Sequence, residues 1–176
     1  MNILLNTTQM YDSAATSINT VNGIYKKIVG KYPLASSILD VGCGKYDSNK
    51  EFANDNGFAW FGIDPYNRTS EYNDASLEAL YDLCECPDII MLNNVINVIA
   101  EDGVIFNVLN QVYNYAGKDT DVYITIYEGD KSGVGKVTTK GYQRNQKLNK
   151  YTDYVNEFFY IEEKIGSNII RCRKVA

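Results

Sequence analysis

Apolar residues recur along the chain in two alternating rhythms. Short continuous runs, Ser37-Ile38-Leu39-Asp40-Val41, Phe58-Ala59-Trp60-Phe61-Gly62-Ile63, Asp88-Ile89-Ile90-Met91-Leu92 and Asp121 to Tyr127, read as strands buried on both faces. Helix-compatible segments lie between them. Asn49 to Asn56 is closed by Gly57, Ser76 to Cys84 is capped by Ser76, and Glu101 to Ala116 carries Val104, Ile105, Val108, Leu109 and Val112 on one side. Continuous apolar strands alternating with helices predict an α/β domain whose mainly parallel sheet is covered on both faces.

The two ends follow other rhythms. Ala14, Ile18, Val21, Tyr25 and Ile28 recur at alternating four- and three-residue steps. They predict a helix over roughly Tyr11 to Val29, stopped by Pro33, in an N-terminal unit of residues 11–32. Near the other end, Thr152 to Phe159 reads as a short helix. Tyr160 to Lys164 and Asn168 to Lys174 read as an antiparallel C-terminal hairpin joined at Gly166-Ser167.

With 176 residues, 45% of them apolar, the chain suits one domain spanning 1–176 rather than a disordered polymer. No run reaches the roughly 18 consecutive apolar residues of a membrane span. The start, Met1 to Asn6, lacks the charged and apolar regions of a signal peptide, so the expected location is the cytoplasm.

Cys43, Cys84, Cys86 and Cys172 are scattered, and Cys84-Glu85-Cys86 is tighter than the usual zinc spacing. There is no histidine. No metal is therefore expected, and Ser-His-Asp and Cys-His chemistry are excluded. Any chemistry falls to carboxylates, tyrosines, lysines, amides or backbone groups.

Charge is unevenly spread. Residues 1–130 hold 7 Lys and Arg against 18 Asp and Glu, whereas residues 131–176 hold 10 against 4. Lys131, Lys136, Lys140, Arg144, Lys147 and Lys150 follow one another with no acid among them. Two readings stay open, a surface that meets an anion and a merely solvated face. On the first, 128–150 is a basic substrate-side insertion, in which Lys136, Lys140, Tyr142 and Arg144 hold an anionic substrate such as nucleic acid or a nucleotide. Tyr127 and Tyr142 would then stack on its bases. The same run could instead meet the acidic half of a second copy.

The candidate chemistry lies at Asp40-Val41-Gly42-Cys43-Gly44, where two glycines stand between a strand and a helix. Glycine there permits a tight turn and a close approach to a ligand. Asp64, at the end of the next strand, follows Gly44 by 20 residues, a spacing that suits a carboxylate on ribose hydroxyls. The dinucleotide fingerprint G-x-G-x-x-G would need glycine at position 47, where Asp47 stands. Asp40 and Asp47 oppose a pyrophosphate and favour a cationic ligand, which counts against a nicotinamide dehydrogenase.

These residues resemble a known family. Ile38 to Gly44 is similar to motif I of the class I S-adenosylmethionine (SAM)-dependent methyltransferases, Phe61-Gly62-Ile63-Asp64-Pro65 to their second motif, and Asp88 to Ile99 to their fourth strand and the loop after it. The likeness covers roughly residues 36–127. It implies a three-layer Rossmann-like fold with SAM as cofactor, held at its amino acid end by Asp40, Gly42, Cys43 and Gly44. It also implies Asp64 on the ribose, Asp74 beside the adenine amino group, and Asn93 and Asn94 beside the methyl. Tyr46 stands where many members carry a third glycine, and Val98 where many carry a histidine. The stretch from Asp64 to Asp88 is short, which leaves open whether the third strand ahead of Asp74 is reduced or missing. A narrower resemblance, over Asn93 to Ile99 and Tyr127 to Asp130, is to small phage-encoded and DNA-phosphorothioation-associated methyltransferase-like proteins.

Two further motifs fail their tests. Gly129 to Val137 departs from the phosphate loop G-x-x-x-x-G-K-[ST] in spacing and in Val137, and reads as a flexible loop. Asn93-Asn94-Val95-Ile96 lacks the prolines and aromatic of the base amino-methylating enzymes. The leading expectation is methyl transfer from SAM to a nucleophile held under residues 128–150, with Tyr127, Glu128 or Asp130 as the base if one is needed. The alternative is a non-catalytic module that holds SAM or a nucleoside, or acts through protein contacts.

Overall fold

The computed structural model describes residues 9–175; the start, Met1 to Asn6, lies outside them. The elements follow in the order α1 (Gly23–Ile28), β1 (Ser37–Val41), α2 (Ser48–Asp55), β2 (Ala59–Ile63), α3 (Ser70–Leu83), β3 (Ile89–Asn93), α4 (Asp102–Tyr115), β4 (Asp121–Thr125), β5 (Lys136–Thr138), β6 (Gly141–Gln143), α5 (Thr152–Asn156), β7 (Phe159–Ile165) and β8 (Ile169–Lys174). A six-stranded sheet has the order β2-β1-β3-β4-β8-β7. Its first four strands are parallel, and β8 and β7 close it antiparallel.

Alternation along each strand sends side chains to two separate cores. Leu39, Val41, Ile90, Leu92, Val122 and Ile124 pack under α3 and α4 against Leu77, Leu80, Ile105, Leu109 and Val112. Ile38, Ile89, Met91 and Tyr123 pack with Ile24, Tyr25 and Ile28 of α1 and Ala53 of α2 on the other face. Each such side chain contributes about 1.5–3 kcal/mol by leaving water. The three layers and the closing hairpin agree with the sequence pattern.

Three elements differ from it. The N-terminal helix is confined to Gly23–Ile28, preceded by a single 3₁₀ turn at Ala14–Thr16. Short polar side chains take over the backbone in between. Asp12 accepts from the Ala14 N–H at 2.7 Å, Thr16 donates to the Ser13 carbonyl at 2.6 Å, and Asn22 caps α1. Ile18, assigned by its spacing to an apolar stripe, is 61% exposed.

The next helix, α3, starts six residues before Ser76, and Thr69 caps it by accepting from the Tyr72 N–H at 3.2 Å. Ser76 instead accepts from the Gly62 N–H of β2 at 3.0 Å. No strand separates β2 from α3, so β2 is an edge of the sheet. The stretch after Gly129 is built around a small β5–β6 hairpin.

Candidate cofactor crevice

From β1 the chain crosses by α2 to β2 on one side, and from β3 it crosses by α4 to β4 on the other. The strand order therefore reverses between β1 and β3. Such a reversal opens a crevice at the carboxyl ends of the two strands. Residues following β1, β2 and β3 line it together, along with Val108 and Gln111 of α4.

Gly42 and Gly44 form the loop after β1, both left-handed with φ of +78° and +74°. A Cβ on Gly42 would meet Val95 Cγ2 at 2.5 Å, and one on Gly44 would strike the Ser17 hydroxyl. The N–H groups of Gly42 and Cys43 both donate to the Ile63 carbonyl, at 2.8 and 3.1 Å, which ties the loop to the end of β2. Cys43 lines the crevice, and burial, followed by the charges of Asp40 and Asp64, pushes its thiol well above the ordinary range.

Asp40 is 0% exposed. Its Oδ2 accepts from the Tyr25 hydroxyl at 2.7 Å and from Asn49 Nδ2 at 3.3 Å, and the Tyr25 oxygen accepts in turn from Trp60 Nε1 at 2.9 Å. Oδ1 is buried without a partner. Burial raises the carboxyl to about 6, opposed by the bonds from Tyr25 and Asn49 and by the neighbouring Asn93 amide, and reinforced by the charge of Asp64.

Asp64 is 5% exposed and held by backbone. Its Oδ2 accepts from the Gly44 N–H at 2.9 Å, and its Oδ1 from the N–H groups of Tyr66 and Asn67 at 2.9 and 2.8 Å. Asn73 of α3 bonds both backbone polar groups of Asp64. Asn93 Oδ1 accepts from the Thr125 hydroxyl at 3.2 Å, while its Nδ2 is buried without a partner. Asn94, at φ +56°, donates its N–H to the Thr125 carbonyl at 2.9 Å.

The remaining wall is the extended segment Gln9 to Asn22, which presents Gln9, Ser13, Thr16, Ser17 and Thr20. It is tied at several points. The Met10 N–H donates to Glu101 Oε1 at 2.6 Å, and Tyr11 stacks on Tyr142 of β6 at 5.2 Å. Ser17 Oγ accepts from the Lys45 N–H at 3.0 Å, and the Asn22 N–H donates to Asn49 Oδ1 at 2.9 Å. Neither this wall nor Tyr25 and Asn49 figured among the sequence candidates. The density of Ser, Thr and Asn over residues 12–22 was the available signal, since these residues favour caps and turns over helix interiors.

The crevice thus gathers Asp40, Gly42, Cys43, Gly44, Asp64, Asn93 and Asn94. It does not gather Asp74, which lies exposed on α3 because that helix occupies the place of a third strand. Tyr127, Glu128 and Asp130 are not among its lining either. Tyr127 is 61% exposed. Glu128 accepts from the Leu148 N–H at 2.8 Å and pairs with Lys131 at 3.2 Å, and Asp130 accepts from the Ser132 N–H at 2.9 Å. Both carboxyls are held low, Glu128 chiefly by the Leu148 N–H and Asp130 by Ser132. Lys136 and Lys140 are exposed on the hairpin, and Tyr142 is taken up by Tyr11. Arg144, 8% exposed, donates to Asp102 at 2.6 Å and to the carbonyls of Ile99 and Ala100, fastening the hairpin to the start of α4.

No family model and no curated protein matches the chain in sequence. Solved structures match it in shape. A SAM-dependent methyltransferase from Methanosarcina mazei gives a TM-score of 0.59 at 14% identity, covering 84% of this chain and 97% of its own. A TehB-like SAM-dependent methyltransferase from Corynebacterium glutamicum gives 0.55 at 17%, over 88% and 89%. The N-methyltransferase NodS of Bradyrhizobium japonicum, in complex with S-adenosylhomocysteine (SAH), gives 0.53 at 8%, over 87% and 85%. The chain has the class I methyltransferase fold. Within that fold the six-stranded sheet of the described residues ends at β2. Among the described residues no helix is long and apolar enough to cross a membrane.

Proposed function

We propose that the chain binds SAM in this crevice and acts as a methyltransferase. The observation that carries the reading is Asp40, a fully buried carboxylate in the crevice wall whose Oδ1 is left without a close hydrogen-bond partner, with the Asn93 amide beside it. A buried carboxylate oxygen without a close partner is costly, so it suits a ligand that brings a donor. The amino acid end of SAM offers an ammonium and a carboxylate, one donor and one acceptor group. Gly42 and Gly44 let the loop turn left-handed with Val95 and Ser17 packed against it, and Asp64 stands at the end of β2 for the ribose. Bound SAM supplies an electrophilic methyl on a sulfonium.

The chain's own contribution is alignment and electrostatics. Among the described residues two aspartates and no lysine or arginine border the crevice, so a cationic ligand is favoured there. Much of the barrier to a displacement falls when the reactants are held in line. The basic run 131–150 does not supply the lining, so an anionic or nucleic-acid acceptor lacks support from the crevice. A weaker likeness, to small phage-encoded and DNA-phosphorothioation-associated methyltransferase-like proteins, rests on residues 93–99 and 127–130 alone. Calorimetry with SAM and SAH tests the reading. Both are expected to bind, and binding of neither at millimolar concentration overturns it.

A further inference from the structure

The crevice crosses the end of the sheet from one face to the other. On β1, Ile38 and Asp40 point to one face, Leu39 and Val41 to the other. Asp40 Oδ2 meets Tyr25 of α1 and Asn49 of α2 on the first face. Ile63, Ile99 and Val108 line the crevice on the second, within the core under α3 and α4. Asp64 joins the two sides. Its carboxylate accepts from the Gly44 N–H, and Asn73 of α3 bonds its backbone. With the amino acid end of the cofactor at Asp40 and the ribose at Asp64, the adenine falls on the α3–α4 side.

That side is apolar, as the faces of a flat base require, but the polar edge of adenine still needs partners there. Asp74 lies exposed on α3 and does not line the crevice. Gln111 of α4 does line it. Val104, Val108, Gln111 and Tyr115 follow one another at four-, three- and four-residue steps, so they share one stripe of α4. Phe106 and Tyr113 occupy the opposite flank, against Phe158. The stripe looks toward α3, where Tyr115, its hydroxyl pushed up to about 12 by burial, also feels Tyr81 of that helix. Gln111 Nε2 donates to the Tyr115 hydroxyl at 3.0 Å, which sets the way its carboxamide faces.

We infer that Gln111 is the residue that recognises the adenine of the cofactor. Its carbonyl accepts from the exocyclic amino group, its N–H donates to the ring nitrogen beside it, and Ile63, Ile99 and Val108 flank the ring. This rests on the SAM reading above. A carboxamide sets a donor and an acceptor side by side, which matches the donor and acceptor on the amino edge of adenine. A purine without the amino group forfeits one of these bonds and leaves the glutamine carbonyl unpaired in an apolar surround, so it is rejected. Gln111 holds the end of the cofactor remote from Asp40 and takes no part in the transfer itself.

The test uses the full chain and two ligands, SAH and its 6-deamino analogue, in which unsubstituted purine replaces adenine. Calorimetry gives the affinity of each. The wild-type chain is expected to bind SAH about tenfold or more tighter than the analogue. Gln111→Met and Gln111→Leu, of similar volume, are expected to bind the two ligands alike, with affinity for the analogue no weaker than in the wild type. A residue that only supported the helix would lower both affinities and leave their ratio unchanged. If SAH binds but the wild type does not distinguish the two ligands, a result that needs no variant, the Gln111 inference is overturned while the cofactor reading stands. The same holds if either folded variant keeps the wild-type ratio. If neither SAM nor SAH binds, both fall.

Discussion

The hydroxyl of Tyr25 donates to Asp40 Oδ2 at 2.7 Å, fixing the carboxylate from beneath while its second oxygen stays unpartnered. That bond lowers a carboxyl which burial otherwise raises. Tyr25→Phe removes it and also strands Trp60 Nε1. The expected outcome is a loss of about 1–3 kcal/mol of stability and weaker SAM binding at pH 7 that recovers toward pH 8, read by calorimetry across pH.

Asp40 itself sets a pH dependence. Its carboxyl in the folded chain sits at about 6, above the ordinary aspartate value of about 3.9. Between these values the folded state holds a proton that the unfolded state has released, so stability falls as pH rises. The loss approaches about 3 kcal/mol by pH 7 for the ligand-free chain. Urea denaturation at pH 4 and pH 7 checks this, with Asp40→Asn expected to remove most of this residue's share of the difference. A bound ammonium favours the ionised carboxylate, so SAM affinity is expected to rise from pH 5 to 7 with proton release near pH 6.

Gly42→Ala forces a side chain into a left-handed conformation and against Val95. The backbone term alone is worth about 1–2 kcal/mol. SAM affinity is expected to drop roughly tenfold or more. The double variant Gly42→Ala/Val95→Ala is expected to recover part of it, because it relieves the contact and not the backbone. Equal affinities for the single and double variants would contradict this geometry.

Arg144→Gln tests the place of the basic run. Its loss breaks the fork to Asp102 and to the Ile99 and Ala100 carbonyls. Asp102 is largely exposed, so the expected destabilisation is modest, about 1–2 kcal/mol. It should appear as a lower thermal midpoint, with SAM affinity little changed. A large loss of ligand binding with unchanged stability would return Arg144 to the ligand.

Tyr11→Ala removes the stack on Tyr142, worth about 0.5–1.5 kcal/mol. The wall Gln9 to Asn22 is expected to open more often. Hydrogen exchange should then speed up at the Lys45 amide, which donates to Ser17, while amides of β1 keep their protection.

The parallel strands were legible because burial on both faces gives each a short apolar run, as Ile38-Leu39 in β1 and Val122-Tyr123-Ile124 in β4 show. The loop from Asp40 to Gly44 and its distance to Asp64 were legible because a strand-to-turn junction is local. What escaped depends on partners remote in sequence. The Arg144 charge read as a ligand contact because its partner Asp102 lies 42 residues away. Asn73 is a polar residue buried in α3 to bond the backbone of Asp64, and it hid the start of that helix from a pattern built on apolar spacing. Tyr25 followed the predicted stripe correctly, yet nothing in its spacing revealed that its hydroxyl meets Asp40.

The edge position of β2 has a consequence for how the protein survives in solution. An open strand invites a neighbouring molecule to add another, the first step toward aggregation. Here the strand is Ala59-Trp60-Phe61-Gly62-Ile63, free of charge and proline, and so lacks the usual deterrents. A single hydroxyl, Ser76 Oγ, occupies the N–H of Gly62 from the helix alongside. Ser76 thus shields one N–H of the edge from outside the crevice lining, and its replacement by alanine is expected to free that group for strand addition.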